Sequence, residues 1–359
     1  MNLASSRLNG NRLCAFVTSL FAAFEESSIP YVVLRNYEGL PYRIEGDIDL
    51  LVGREHATFA ERVIRRVAQE NGLSLVNRAE FSPTCLHFAD LDTLEQIQID
   101  VFSALKWRVF EILDARSVLE SRRRFRTFYV PAETDEAALS VITRLLYGQP
   151  IREAYVRRLL EAVERHEASM FAKLSGSIGS GAATMIVDCA RNANLESLMQ
   201  RARQLRAHVL GFQLRQSAQL LLSNAVRDAA RLLKRWIRPP GLCIVLRFEP
   251  DLTDEFAKSL AALLEYTFRE PKIRRARVGF LELLKSWPLL FRNHLVLACG
   301  FTSPPRLRSD VVLRLDQDLS FCQESDNRKT ESTSELRSAE AARLIFRYLV
   351  LRTVRRHGE

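Results

Sequence analysis

Two runs with the length and pattern of strands each carry carboxylates among apolar residues: Gly46-Asp-Ile-Asp-Leu-Leu-Val52 and Gln96-Ile-Gln-Ile-Asp-Val-Phe102. Side chains alternate along a strand, so Asp47 and Asp49 fall on one face while Ile48 turns into the core. Two carboxylates on one face repel unless a cation stands between them. A hard divalent ion with oxygen ligands, Mg²⁺ above all, removes that repulsion. If the strand of Asp100 lies beside the first, a third carboxylate joins the pair. Three acids on neighbouring strands suit two metal ions, and Asp100 suits equally the base that deprotonates an attacking hydroxyl. The bland uses are an exposed acid pair for Asp47 and Asp49, and for Asp100 a strand-end residue bonded to backbone.

Around these runs the first hundred or so residues alternate helix and strand signals. Leu13 to Glu25 reads as a helix, and Tyr31-Val-Val-Leu34 as a short strand opened by Pro30. An amphipathic helix follows from Glu55 to Glu70, stopped by Asn71-Gly72, with further strands at Leu73–Val76 and Cys85–Phe88. From Trp107 to Trp236 the periodicity is largely helical, over Asp135–Tyr147, Arg152–Glu167, Leu195–Leu210 and Ser217–Trp236. Ser175-Gly-Ser-Ile-Gly-Ser-Gly181 interrupts these helices. No strand leads into it and no lysine follows, so it reads as a flexible connection rather than a phosphate loop. Arg238-Pro-Pro-Gly241 closes the helical stretch, since neither proline continues a helix. Strand candidates at Leu242–Leu246, Leu295–Ala298 and Val311–Leu315 then alternate with helices near Glu255–Tyr266 and Ser338–Arg355, the pattern of a parallel α/β sheet.

Composition narrows the setting. The six cysteines include no Cys-x-x-Cys pair and the six histidines stand apart, which argues against a zinc site or a disulfide framework and for a reducing cytoplasm. Arg7 and Arg12 ahead of the apolar run Leu13–Phe24 imitate a signal peptide, but Glu25-Glu26 follows where a cleavage site would stand. No run reaches the roughly 18–20 apolar residues of a membrane span. The net charge of +9 favours an anionic partner, although the excess is spread out. It is densest at Arg122-Arg-Arg124 and between Arg201 and Arg238. The segment Ser217 to Arg238 is basic and amphipathic, which suits packing between domains and, as the lesser expectation, an anionic membrane surface. Its aromatics are not interleaved with its charge, and no nucleic-acid motif is present.

Tyr31-Val-Val-Leu-Arg-Asn-Tyr-Glu-Gly-Leu-Pro41, Gly46-Asp-Ile-Asp-Leu-Leu-Val52 and Ile99-Asp-Val-Phe102 with Trp107 beyond resemble a bacterial branch of the DNA polymerase beta-type nucleotidyltransferases, over roughly residues 13 to 165. Some members of that branch look connected with surface-polysaccharide loci. The resemblance implies that Asp47 and Asp49 bind the metals, with Asp100 as third acid. The Gly-Ser turn that holds the triphosphate in the wider superfamily is replaced by Arg35-Asn36, a pair suited to hold phosphate by charge-assisted hydrogen bonds. Gly46 ahead of the acids would let backbone approach a metal or nucleotide closely.

Arg238-Pro-Pro-Gly-Leu-Cys-Ile-Val-Leu246 resembles the entry to the thymidylate kinase-like P-loop domains often fused behind this nucleotidyltransferase. Such domains continue into a glycine-rich loop ending in Gly-Lys-Ser/Thr. This chain continues into Arg247-Phe-Glu-Pro-Asp-Leu-Thr-Asp-Glu-Phe256, which has no glycine and four acids that repel phosphate. Arg292 to Phe301 is similar to the strand that ends in Asp-Arg-Tyr in those kinases, and here reads Ala298-Cys-Gly-Phe301. Asp310-Val-Val-Leu-Arg-Leu-Asp316 is similar to the strand before their lid, with both acids read as structural.

The expectation is an α/β chain of three parts: a nucleotidyltransferase-like core with a mixed sheet (1–110), a helical region and linker (111–238), and a parallel, thymidylate kinase-like domain without its P-loop (239–359). The expected activity is Mg²⁺-dependent transfer of a nucleotidyl group from a nucleoside triphosphate to an acceptor hydroxyl. The contrasting expectation is a catalytically silent scaffold with a pseudokinase half.

Overall fold

The computed structural model describes residues 3–151, 153–192, 198, 200–216, 218–237, 240–247, 253–275, 288–299, 311–315, 321–323, 329–331, 342–343 and 345–347. The fold is mixed α/β. By its internal packing the chain forms two compact units, neither of them continuous in sequence. One comprises Cys14–Val67 and Ile99–Ala230, and the other Met1–Leu13, Ala68–Gln98 and Arg231–Glu359.

The first unit is built around the acid-bearing strands. Helix α1 (Leu3–Glu26) contributes Phe16, Val17, Leu20, Phe21 and Phe24, all buried at helical spacing. Strand β1 (Tyr31–Val33) pairs antiparallel with β2 (Ile48–Val52), and Leu34 N–H extends the ladder to the Asp49 carbonyl at 2.9 Å. Helix α2 (Ala57–Glu70) follows β2. Strand β5 (Gln96–Phe102) runs parallel to β2, in the register Ile48↔Ile99, Asp49↔Asp100, Leu50↔Val101. The chain's five-stranded mixed sheet has the order β1-β2-β5-β4-β3, in which β3 (Leu73–Glu80) and β4 (Thr84–Asp90), both outside this unit, form an antiparallel hairpin. Every residue of β2 is buried, as a strand inside a sheet requires.

The stretch beyond Trp107 is less uniformly helical than its periodicity predicts. It opens with two short hairpins, β6 (Leu105–Trp107) with β7 (Phe110–Leu113) and β8 (Arg123–Phe125) with β9 (Phe128–Val130), separated by α3 (Ala115–Glu120). Each strand has three or four residues, too short to register as an alternating pattern, and Arg108 and Arg126 turn the hairpins with positive φ. Helices α4 (Glu133–Tyr147), α5 (Glu153–Ile178), α6 (Ser180–Arg191), α7 (Ala202–Gln216) and α8 (Ala218–Ile237) follow. Alanine-rich faces of α4 and α6 pack with Leu159, Met170, Leu174, Leu205 and Val209 in one apolar core.

Ser175–Gly181 is not a flexible link. Helix α5, kinked at His166 (φ −140°), continues to Ile178, Gly179 ends it at φ +88°, and α6 starts at once. A Cβ at Gly179 would come within 2.8–2.9 Å of the Phe212 side chain, so the helices meet here because a side chain is missing.

The second unit contains a six-stranded sheet in the order β11-β12-β10-β13-β14-β15. Strands β10 (Leu242–Arg247), β12 (His294–Cys299) and β13 (Val311–Leu315) are the three expected from apolar runs, and β10 pairs parallel with both others. Helix α9 (Thr253–Leu264) follows β10. Strand β11 (Arg269–Arg275), parallel to β12, was not expected, because four of its seven residues are cationic. Strands β14 (Phe321–Gln323) and β15 (Lys329–Glu331) add an antiparallel edge. Most of the acid run after Arg247, the Arg238-Pro239 boundary, Gly300-Phe301, Asp310, Asp316 and most of the Ser338–Arg355 helix lie outside the described residues.

The β3–β4 hairpin belongs to this second unit, where polar groups tie it in place. Asn77 Nδ2 donates to Asn293 Oδ1 at 3.1 Å, and Asn293 Nδ2 to the Thr267 carbonyl at 3.2 Å. Gln96 Nε2 donates to the Leu263 carbonyl at 2.7 Å, and Thr267 Oγ1 to Gln96 Oε1 at 2.8 Å. His87 on β4 is buried edge-to-face against Tyr266 at 6.4 Å, and its Nδ1 has no hydrogen-bond partner. Among the described residues no helix is long and apolar enough to cross a membrane.

Candidate acidic site

Asp49 and Asp100 are the residues the sheet brings together. They are direct partners in the parallel β2–β5 pair, and since partners share a face, both carboxylates project to the same side. Asp49 is 1% exposed and Asp100 8%, deep burial for two groups of like charge. Asp47 stands one residue ahead of β2 rather than inside it and is half-buried. Burial, and then the charge of Asp49, push its carboxyl above the usual carboxylate range.

Arg35 supplies the counter-charge. Its Nε donates to Asp49 Oδ2, and its Nη2 to Asp49 Oδ1 at 3.2 Å, a two-pronged pairing that matches the planar guanidinium to the planar carboxylate. Burial pulls the Arg35 guanidinium down. The hydrogen bonds and charge of Asp49, helped by Tyr155 and Asp47, more than offset this, so it is held above its ordinary value. Asn36 follows with φ +55°, a left-handed turn that asparagine tolerates better than most residues. Gly46 stands in open space, with nothing beyond its own chain neighbours within 4 Å of where a Cβ would be, so its small size leaves room beside the acids rather than relieving a clash.

A second network, not anticipated from sequence, clamps the Arg35-Asn36 turn. Tyr37 Oη donates to Glu136 Oε2 at 2.7 Å, and Arg123 Nη2 donates to Tyr37 Oη at 3.2 Å. Arg158 bridges Glu136 and Glu38 through its two terminal nitrogens. Glu136 is 5% exposed, and burial raises its carboxyl even though Tyr37, Arg158 and Arg123 all favour its charge. Tyr155, also buried, is flanked by the guanidiniums of Arg144 at 5.8 Å and Arg158 at 6.0 Å from its ring centre. Tyr37 and Glu38 lie within the motif that marks the site. Their partners are 99 and 120 positions away, and nothing local in α4 or α5 distinguishes them from surface charges.

The donors are all carboxylate oxygens, the ligand type that Mg²⁺ selects, so Asp47, Asp49 and Asp100 fit a hard divalent ion in kind. Among the described residues no three His, Cys, Asp or Glu side chains are gathered closely enough to hold a metal, and Asp49 is engaged by Arg35. No known protein-family model, curated protein or solved structure matches the chain.

Proposed function

We propose that this protein is a Mg²⁺-dependent nucleotidyltransferase that moves a nucleotidyl group from a nucleoside triphosphate to an acceptor hydroxyl. The observation that carries the reading is the Asp49↔Asp100 pairing: two buried carboxylates side by side on parallel strands, with a third acid and an arginine at their edge. Burying two like charges is costly, and a fold keeps such a pair where a cation is to be bound. Asp47 and Asp49 would hold the metal, with Asp100 sharing it or taking the proton. A bound divalent ion supplies charge neutralisation at the phosphates and at the entering oxygen. The acceptor oxygen forms its bond to the α-phosphorus as the bond to the β-phosphate oxygen breaks. Pyrophosphate leaves, and Asp100 receives the hydroxyl proton in the version that makes it the base. Arg35 and Asn36, clamped through Tyr37 and Glu38, hold phosphate. The C-terminal sheet is read as a kinase-like domain without phosphate-binding chemistry, and surface-polysaccharide metabolism as the setting suggested by resemblance.

One observation favours the alternative, a silent scaffold. Arg35 already satisfies Asp49 within the chain, so the acid has a partner without any metal. A thermal-shift comparison separates the two, with ATP, GTP, CTP and UTP each tested with and without Mg²⁺ on wild type and on Asp49→Asn. At about a hundred times its dissociation constant a nucleotide adds roughly 2.7 kcal/mol to stability. The enzyme reading expects a rise that needs both metal and one nucleotide and disappears in Asp49→Asn. No rise with any combination would leave the scaffold.

A further inference from the structure

The cation run Arg122-Arg-Arg-Phe-Arg126 spans strand β8 of the β8–β9 hairpin, and alternation along the strand sorts its residues onto two faces. Arg123 and Phe125 turn inward. Arg123 donates to Tyr37 Oη at 3.2 Å, and the Phe125 ring stands edge-on to Tyr37 at 5.0 Å. Arg122, Arg124 and Arg126 are left for the other side. Arg122 and Arg124 both lie over the Tyr129 ring, 4.8 and 5.9 Å from its centre, and Arg124 is the register partner of Tyr129. Arg126, at the turn with φ +54°, lies over Phe125 at 5.2 Å and donates to the Leu40 carbonyl at 2.8 Å. Arg124 and Arg126 are exposed, and Arg122 is half-buried.

Rings and carbonyls hold these three guanidiniums, not acids. Among the described residues none of the three pairs with a carboxylate, whereas Arg123, Arg158, Arg165 and Arg191 of the same unit all do. A guanidinium has several N–H donors. Arg122 Nη1 donates to the Leu119 carbonyl at 2.6 Å and Arg124 Nε to the Arg126 carbonyl at 3.4 Å, and the buried Nε of Arg122 has no partner among the described residues. Stacking on a ring fixes the plane of a guanidinium and leaves its charge uncompensated, which suits it to phosphate. Alternate residues of a strand stand roughly 6.5 Å apart, so the cations form a row that a linear polyanion meets better than a single phosphate does. Tyr42, 79% exposed, lies two residues past the carbonyl that Arg126 holds. On that loop Glu45 is taken by Arg43. A row of cations beside an uncovered ring supplies what single-stranded nucleic acid needs, charge for its backbone and a π-face for its bases. A polysaccharide has no π-face to offer.

We propose that the β8–β9 hairpin binds the phosphodiester backbone of a single-stranded nucleic acid, with Arg122, Arg124 and Arg126 on phosphates and Tyr42 stacked on a base. The proposal is independent of the reaction at the acidic site. The hairpin joins that site through Arg123, whose side chain on the opposite face reaches Tyr37 and Glu136.

Fluorescence anisotropy of the full chain with labelled oligo-dT and oligo-U of about 15 nucleotides tests it. Wild type is expected to bind at least one of them, more weakly as salt rises, and the two strands tell DNA from RNA. Each arginine on a phosphate of a single strand contributes about 0.7 to the slope of log affinity against log salt. Arg124→Gln/Arg126→Gln, at exposed positions, is therefore expected to keep the wild-type melting temperature and to lose about 1.4 of that slope. Adding Arg122→Gln should bring the loss to about 2. Tyr42→Ala is expected to weaken binding about tenfold and to leave the slope as it was. Wild type that binds neither strand, or a double variant with wild-type affinity and slope, overturns the proposal. Heparin bound where neither strand is overturns it in favour of a polysaccharide. Affinity unmoved by Tyr42→Ala overturns it in favour of a polyanion held by charge alone.

Discussion

Asp49 lies 1% exposed in a strand that is otherwise apolar, and its carboxylate is engaged, among the described residues, by the half-exposed guanidinium of Arg35. Removing one member of a buried pair leaves the other charge uncompensated, at about 3–5 kcal/mol for full burial. Arg35→Gln is expected to cost less, about 2 kcal/mol in EDTA, because water reaches Arg35. If these acids bind Mg²⁺, the ion restores part of that loss, and urea titrations with and without Mg²⁺ read the difference. A loss that Mg²⁺ leaves untouched counts against the metal site. His87 behaves differently. Burial lowers its imidazole from 6.5 to about 4, so the folded protein keeps it neutral where the unfolded chain takes a proton. Stability is therefore undiminished above the unfolded value and falls as pH drops towards 4. The loss is on the order of 3 kcal/mol across that window. Denaturant titrations at pH 7 and pH 4.5 should show it, and His87→Leu should flatten the dependence. The two acids of the strands were legible as residues in a pattern. Arg35's use of both prongs on Asp49 was not, because the approach of residues 14 positions apart depends on how β1 turns back onto β2.

Elements reported themselves in the sequence to the extent that they were long. Strand β5 matches its expected bounds, Gln96–Phe102, and α2, α4 and α8 lie within a few residues of theirs. Helix α7 (Ala202–Gln216) is displaced from the expected Leu195–Leu210, and α5 kinks at His166, beside its predicted end at Glu167, before running on to Ile178. Short hairpins escaped, since three residues give no measurable alternation, and β11 escaped because its residues look like a solvated surface. Gly179 shows how one position decides an element's end. Its glycine-rich surroundings suggest slack, yet the residue is a tight joint between two helices with Phe212 against it. Gly179→Ala must carry a methyl into that ring at a backbone angle L-residues avoid, which should cost about 2 kcal/mol. Calorimetry measures this directly. An unchanged melting temperature would mean that the joint is loose after all.

At the scale of the molecule, the β3–β4 hairpin belongs by packing with the C-terminal sheet although it lies in the first third of the chain. Asn77, Gln96 and His87 find their partners at Asn293, Leu263, Thr267 and Tyr266. A fragment ending at Ile237 leaves these groups without them. It is expected to unfold less cooperatively than the whole chain and to bind a hydrophobic dye, whereas a sharp transition in the fragment would show the N-terminal part to be self-sufficient. The sequence by itself determined the α/β class, the acid-bearing strands and the order of the long elements. Those depend on side-chain alternation and helical period, which are local properties of a chain. Only the tertiary structure decided that Asp49 and Asp100 are neighbours in register, and that Arg35 pairs with Asp49 while Tyr37, Glu136 and Arg158 form a network beside it. Each of those depends on which distant surfaces meet. Periodicity tells a helix which of its faces are alike and leaves open which one the rest of the protein will cover.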